Sequence, residues 1–278
     1  MASPRIRVAV IDLYNRIQNE GMRAIRELLE ANADLSGPDG FEVEVFETRF
    51  DGSVPDTSFD AYISTGGPGS PWDGEGKPWE ARYFRWLDSV RDHNARGTES
   101  PRSVLFICHS FQMMVRYFKL GSVIPRGSRS FGIFPVHLTA AGAQDPLFEG
   151  LEDPIYAADF RDWQVVQPNH DRIDELGGSI LALEKKRPHV PLERAVMGIR
   201  ISEHMVGVQF HPEADPPGMI RHFRKPDRAD KVVMEHGIEK YKRMLARMED
   251  PSFLKRTHDA VIPRFLARAV AKARPELV

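Results

Sequence analysis

Cys108 is the only cysteine among 278 residues. It stands in Leu105-Phe106-Ile107-Cys108-His109-Ser110-Phe111-Gln112-Met113, between an apolar run and what reads as the first turn of a helix. A single thiol closes no internal disulfide, so it is either inert core filler or a nucleophile. Val104 to Ile107 has the form of a buried strand, and Phe111, Met114, Val115 and Phe118 fall on the inner face of the helix that follows. Cys108 therefore sits at a strand-to-helix turn. Such a turn lifts a side chain above the carboxyl edge of a sheet, where open α/β folds bind their ligands. The free N–H groups of the helix start stabilise a thiolate there.

A thiol nucleophile needs a base within hydrogen-bond reach and a third group to orient that base. Of ten histidines, His109 is adjacent in the chain and is expected to point away across the turn. His211 ends another apolar run, in Gly207-Val208-Gln209-Phe210-His211-Pro212-Glu213-Ala214. A strand that delivers His211 to the same sheet edge, with Glu213 two residues on, supplies both base and orienter. Acyl chemistry also needs donors for the developing oxyanion. Ser64-Thr65-Gly66-Gly67-Pro68-Gly69-Ser70 follows the apolar run Phe59 to Ile63, so its glycines can bring backbone N–H groups close to a substrate. Phosphate cradling is not indicated, since neither a Gly-Lys-Ser/Thr ending nor a GxGxxG is present. No His or Cys pair has metal-ligand spacing, and no cofactor is expected.

The elements that must hold these residues follow from hydrophobic periodicity. Arg7 to Leu13 is a short β-branched run, Met22, Ile25, Leu28 and Leu29 recur at helical spacing, and Phe41 to Phe46, Phe59 to Ile63 and Val104 to Cys108 are further apolar pieces, with a helix near Trp79 to Val90. Strands alternating with helices predict an α/β fold with a mostly parallel sheet covered on both faces. After Gly121 the runs shorten: Phe131 to Leu138, Ile155 to Asp159, Trp163 to Val166, Ile180 to Leu183, Ala195 to Ile201 and Met205 to Phe210. Some should extend the sheet and others form an antiparallel flap. Beyond Pro216-Pro217 the pattern is helical, with one expected stripe through Met234, Ile238, Tyr241, Leu245 and Met248 and another through Val261, Ile262, Phe265, Leu266 and Ala269. The division expected is a main body over residues 1–215 and a C-terminal helical extension over 216–278 packed on it.

Hydrophobic residues make up 41% and charged residues 28%, which suits a globular chain and not a disordered one. The net charge of −2 is uneven. From Pro216 onward there are 15 Lys and Arg against 8 Asp and Glu, a balance of +7 that leaves −9 for the rest. Solvated helix faces account for this, and a docking surface for an acidic partner is the sharper alternative. Basic runs do not alternate with stacking aromatics, which argues against nucleic acid. The first apolar run is only four residues and is broken by Asp12, and none approaches the ~20 residues of a membrane span. With one cysteine, a reducing cytoplasm is the expected setting.

Taken in order, Ser-Thr-Gly-Gly-Pro-Gly-Ser, Ile-Cys-His-Ser-Phe-Gln and Val-Gln-Phe-His-Pro-Glu-Ala resemble the class I (triad) glutamine amidotransferases, with the glutaminase part of GMP synthases and its free-standing relatives nearest in look. The resemblance spans roughly residues 5 to 215 and implies a flavodoxin-like three-layer core. It also implies hydrolysis of the glutamine side-chain amide, with ammonia passed to a separate synthetase subunit or released. In that reading Cys108 forms a γ-glutamyl thioester, His211 moves the proton, and Glu213 holds the His211 ring. The N–H of His109 and one from Gly66 or Gly67 hold the oxyanion, and Gln112 and Ser110 line the glutamine pocket. Two positions depart from the family's G-x-C-x-G-x-Q: Phe106 and Ser110 replace the glycines, and bulk there is expected to narrow the pocket. Where relatives carry a substrate-contacting Ser-His pair, this chain offers Arg161-Asp162. Another γ-glutamyl compound as substrate, or a binding role with catalysis lost, are the alternatives. GMP synthesis by this chain alone is excluded, because no Ser-Gly-Gly-x-Asp-Ser loop of an ATP-pyrophosphatase domain is present.

Overall fold

The structure, a computed structural model, describes residues 5–97, 100–188 and 190–274. Strands and helices alternate at first: β1 Arg7–Ile11, α1 Gly21–Ala31, β2 Glu42–Phe46, α2 Thr48–Asp51, β3 Ala61–Ser64, α3 Pro78–Ala95, β4 Ser103–Ile107 and α4 His109–Phe118. They continue as β5 Ser122–Leu138, α5 Ala140–Gln144, β6 Ile155–Val166, α6 His170–Glu175, β7 Ser179–Glu184, β8 Val196–Ser202 and β9 Met205–Val208. Helices α7 Pro216–Phe223, α8 Pro226–His236, α9 Ile238–Glu249, α10 Leu254–His258 and α11 Val261–Ala273 complete the described chain.

The strands form one sheet in the order β2-β1-β3-β4-β9-β8-β7-β5-β6. Pairing is parallel from β2 through β9 and antiparallel beyond it. Because successive side chains on a strand face opposite ways, each central strand feeds two cores. Val8, Val10, Leu105 and Ile107 pack toward α1 and α11, whereas Ala9, Ile11, Val104 and Phe106 pack toward α3 and α4. A mixed sheet with helices on both sides is thus the flavodoxin-like α/β arrangement that the periodicity and the motif resemblance imply.

Two regions differ from the sequence reading. The runs between Phe131 and Val166 are not separate strands but the two legs of one long hairpin, β5 with β6, whose register shifts between Pro125 and Ser130. Polar residues hid this continuity, since Asp159 and Arg161 sit in mid-strand and are buried as an ion pair at 2.8 Å. The expected stripe through Met234 and Met248 is interrupted at Gly237, whose φ of +84° separates α8 from α9. Met234 is left 86% exposed while Met244 and Met248 are buried. The second stripe holds: Val261, Ile262, Phe265, Leu266, Ala269 and Val270 of α11 join the same core as β1. Each of the larger of these side chains contributes about 1.5–3 kcal/mol on burial.

Candidate active site

β4 is buried along its whole length between β3 and β9. Its last residue hands the chain to Cys108, which has φ +50° and ψ −96°. A side chain in that region carries backbone strain of order 1–3 kcal/mol, and the turn is held from several sides. Cys108 N–H donates to Val208 O at 2.8 Å, and Gln112 N–H donates back to Cys108 O at 3.1 Å to start α4. The Ser110 hydroxyl accepts from Ile107 N–H at 2.8 Å and donates to Ser64 O at 2.6 Å. Ser110 therefore pins the elbow to the end of β3, and its hydroxyl lies under the turn. Phe106 is fully buried in the core on the α3 and α4 side. Cys108, turned out of the strand by its positive φ, joins the opposite core with Ile107, so the bulk of Phe106 lies across the sheet from it.

β9 lies beside β4 and carries the chain on through Gln209 and Phe210 to His211, whose N–H donates to Ala158 O of β6 at 2.8 Å. The His211 Nδ1 is 2.7 Å from Glu213 Oε1, and the ring lies close enough to the Cys108 sulfur to feel its charge. Burial lowers the His211 pKa, but the Glu213 carboxylate and the Cys108 sulfur outweigh it and raise the value well above 6.5. Glu213 is 1% exposed and its Oε2 has no hydrogen-bond partner among the described atoms, so His211 is the one group that compensates this carboxylate by a direct bond. His211 and Glu213 thus lie together beside Cys108 at one sheet edge.

Gly66 and Gly67 follow β3 at the same edge. A Cβ on Gly66 would fall 2.9 Å from His211 Cε1 and 3.2 Å from the Tyr14 hydroxyl, and one on Gly67 would fall 2.5 Å from Leu13 O. Only glycine lets this loop approach the imidazole so closely. Thr65 fixes the loop, its hydroxyl accepting from Leu13 N–H and donating to Gly66 O. His109, next to Cys108 in the chain, is 2% exposed; burial, with the nearby Arg49 and Arg116, pushes its pKa down to about 3. It is neutral at physiological pH, and its backbone, not its ring, is the part placed at the helix start.

Gln112 is also 3% exposed, and its Nε2 donates to Gln209 Oε1 at 3.0 Å and to Trp163 O at 3.4 Å. Gln209 in turn donates from Nε2 to the Cys108 sulfur at 3.7 Å. The motif reading left Gln209 without a role; a lone amide inside the otherwise apolar run Val206 to Phe210 was the signal available in the sequence. Two further neighbours were missed. Phe160 O lies 4.0 Å from Cys108 Sγ. The Tyr14 phenol sits beside Glu213, and burial together with Glu213, Cys108 and Asp12 raises its pKa well above 10, so it stays protonated. Arg161 does not face the sulfur. It bonds Asp159 at 2.8 Å and approaches Glu184 at 3.7 Å, while Asp162 is exposed beside Arg129. Alternation along β6 explains this, since Phe160 faces the site and its neighbour Arg161 faces the opposite side.

A buried thiol at an elbow, an imidazole against it and a carboxylate behind it are the parts of a nucleophilic acyl-transfer site. A model of the family "Glutamine amidotransferase class-I" matches residues 11–223. The chain belongs to that family. Solved structures agree in fold. A glutamine amidotransferase from Thermotoga maritima superposes with a TM-score of 0.68 at 16% identity, covering 96% of this chain and 99% of that one. The acivicin-bound glutaminase domain of CTPS from Trypanosoma brucei gives 0.58 at 11% identity, covering 97% and 94%. A protein from Thermoplasma acidophilum, described provisionally as one of the subunits of a GMP synthase, gives 0.54 at 18% identity, covering 84% and 100%. No curated protein matches the sequence. Among the described residues no helix is long and apolar enough to cross a membrane, and no group of three or more His, Cys, Asp or Glu is placed to hold a metal ion.

Proposed function

We propose that this amidotransferase-family chain hydrolyses γ-glutamyl amides, of which L-glutamine is the simplest, through the triad Cys108, His211 and Glu213. The observation that carries the reading is the His211 ring, which bonds Glu213 at 2.7 Å and lies beside the Cys108 sulfur. His211 takes the thiol proton as the sulfur attacks the γ-carbonyl carbon. The backbone N–H groups of His109 and of Gly66 or Gly67 hold the oxyanion. His211 then gives its proton to the departing nitrogen, and water resolves the γ-glutamyl thioester. Glu213 keeps the ring in the tautomer that can accept from sulfur and stabilises the imidazolium that forms. Gln112 and Ser110 act from beneath, by holding Gln209 and the elbow, and the chemistry needs no cofactor.

Ammonia released in this way would pass to a separate synthetase subunit or to solvent, in a reducing cytoplasmic setting that suits a lone working thiol. Ammonia release from L-glutamine, measured beside the Cys108→Ala variant, tests the proposal. Release that depends on Cys108, with rapid labelling of wild type by an electrophilic glutamine analogue, is the expected result. Undiminished release by Cys108→Ala would remove the mechanism.

A further inference from the structure

A cavity of about 300 Å³ opens beside His211. His211 and Phe160, whose carbonyl oxygen lies 4.0 Å from the Cys108 sulfur, line it together with Gly67 of the loop after β3. Ammonia is the size of a water molecule and fills only ~30 Å³, whereas 300 Å³ lies in the range of pockets that hold whole small-molecule ligands. One wall is apolar: Phe131, Phe160 and Phe223 meet edge-on or tilted at 5.0–5.7 Å between ring centres, and Met219 lies beside them. The mouth carries two cations, Arg129 and Arg228, each only loosely paired, with Asp162 at 3.6 Å and Asp227 at 3.5 Å. Acids on the opposite wall are engaged within the protein, since Glu20 and Asp215 both bond Arg23 and Glu213 bonds His211.

The acid that protonates the leaving nitrogen is His211, so a substituent on that nitrogen lies on the side of the site that His211 faces. We infer that the preferred substrate is an N-substituted γ-glutamyl amide whose leaving amine is an apolar α-amino acid, its side chain against the Phe131, Phe160 and Phe223 wall and its carboxylate toward Arg129 and Arg228. This rests on the proposed γ-glutamyl hydrolysis and narrows it. The Cys108 sulfur bonds the γ-carbonyl carbon, the C–N bond breaks, and the amino acid leaves with the proton that His211 took from the thiol. Water then splits the thioester to glutamate and restores the thiol. Part of the basic excess beyond Pro216 acquires a purpose in this reading, because α7 and α8 supply Met219, Phe223 and Arg228.

The test compares kcat/KM for L-glutamine, γ-L-glutamyl-L-phenylalanine, γ-L-glutamyl-L-alanine and γ-L-glutamyl-phenethylamide. At least a tenfold preference for γ-glutamylphenylalanine over glutamine is expected, with the alanine and phenethylamide compounds between them. Met219→Trp, which fills the cavity, should reduce the phenylalanine-to-glutamine ratio at least tenfold. Arg129→Gln, at a half-exposed position, should raise KM for the phenylalanine and alanine compounds, whose leaving amines carry a carboxylate, and not for the phenethylamide. Glutamine turned over as fast as, or faster than, the substituted amides would overturn the inference while leaving the Cys108 chemistry standing. No Cys108-dependent labelling and no turnover of any of the four would remove both readings together.

Discussion

Glu213→Gln isolates the electrostatic contribution to the site. The substitution keeps the shape of the side chain and removes a charge that lies 2.7 Å from the His211 ring. With charge centres about 4 Å apart and an effective dielectric of about 20, that charge stabilises the imidazolium by about 4 kcal/mol, equivalent to roughly 3 pK units or a thousandfold in rate. The amide cannot restore this. If its NH₂ donates to Nδ1, the ring holds its proton on Nε2 and cannot accept from sulfur. If its oxygen accepts instead, the NH₂ occupies the position of Oε2, which has no partner, and an unsatisfied buried donor costs about 1–3 kcal/mol. The expected outcome is a fall of roughly 10³ in kcat/KM for γ-glutamyl amide hydrolysis. Stability gives a second readout. The folded pKa of His211 is raised above 6.5 by Glu213 and Cys108 in spite of burial, so its contribution is fully present below pH 6.5 and lost as pH rises through the folded value. Wild type should therefore exceed Glu213→Gln in stability most clearly in acid, with the gap closing toward alkaline pH. A loss of activity under tenfold, or a stability gap that widens with pH, would refute the reasoning.

Gly66→Ala places a methyl 2.9 Å from His211 Cε1; a ring displaced by about 1 Å should lower kcat about 10²-fold with little change in thermal unfolding. Gln209→Leu removes the donor to the Cys108 sulfur and the acceptor for Gln112, so iodoacetamide should alkylate Cys108 more slowly and stability should fall by about 1–3 kcal/mol. Arg161→Met leaves Asp159 buried without its 2.8 Å partner; the cost of about 3–5 kcal/mol should appear as a fall in Tm of roughly 6–20 °C, with the Cys108 reactivity of the folded protein kept.

Much of this arrangement was legible in the chain because the chemistry is concentrated at strand ends. β1, β3, β4 and β9 are short apolar runs, and each delivers its next few residues to one edge, so Cys108, Gly66 and His211 could be brought together from their spacing. What could not be read was direction. Phe106 looked like an obstacle to substrate until the alternation of β4 turned it into the core. Arg161 looked like a substrate contact until β6 turned it toward Asp159 and Glu184. Gln209 was visible only as a letter in a motif, because its bonds to Cys108 and Gln112 join positions some 100 residues apart. Among the tail helices, the single Gly237 was enough to break a stripe that hydrophobic spacing alone made continuous.

The sharing of one core by β1 and α11 has a consequence for how the protein is made. These elements are about 250 residues apart in the chain, and at ribosomal rates of about 5–20 residues per second α11 emerges roughly 12–50 s after β1. Until then the α1-facing side of the parallel strands is covered by α1 alone, and the part that α11 covers stays exposed on the nascent chain. β9, the neighbour that brings His211 beside Cys108, also arrives late, so Cys108 emerges long before His211. Chaperone occupancy during synthesis should therefore track the part of the sheet face that α11 comes to cover.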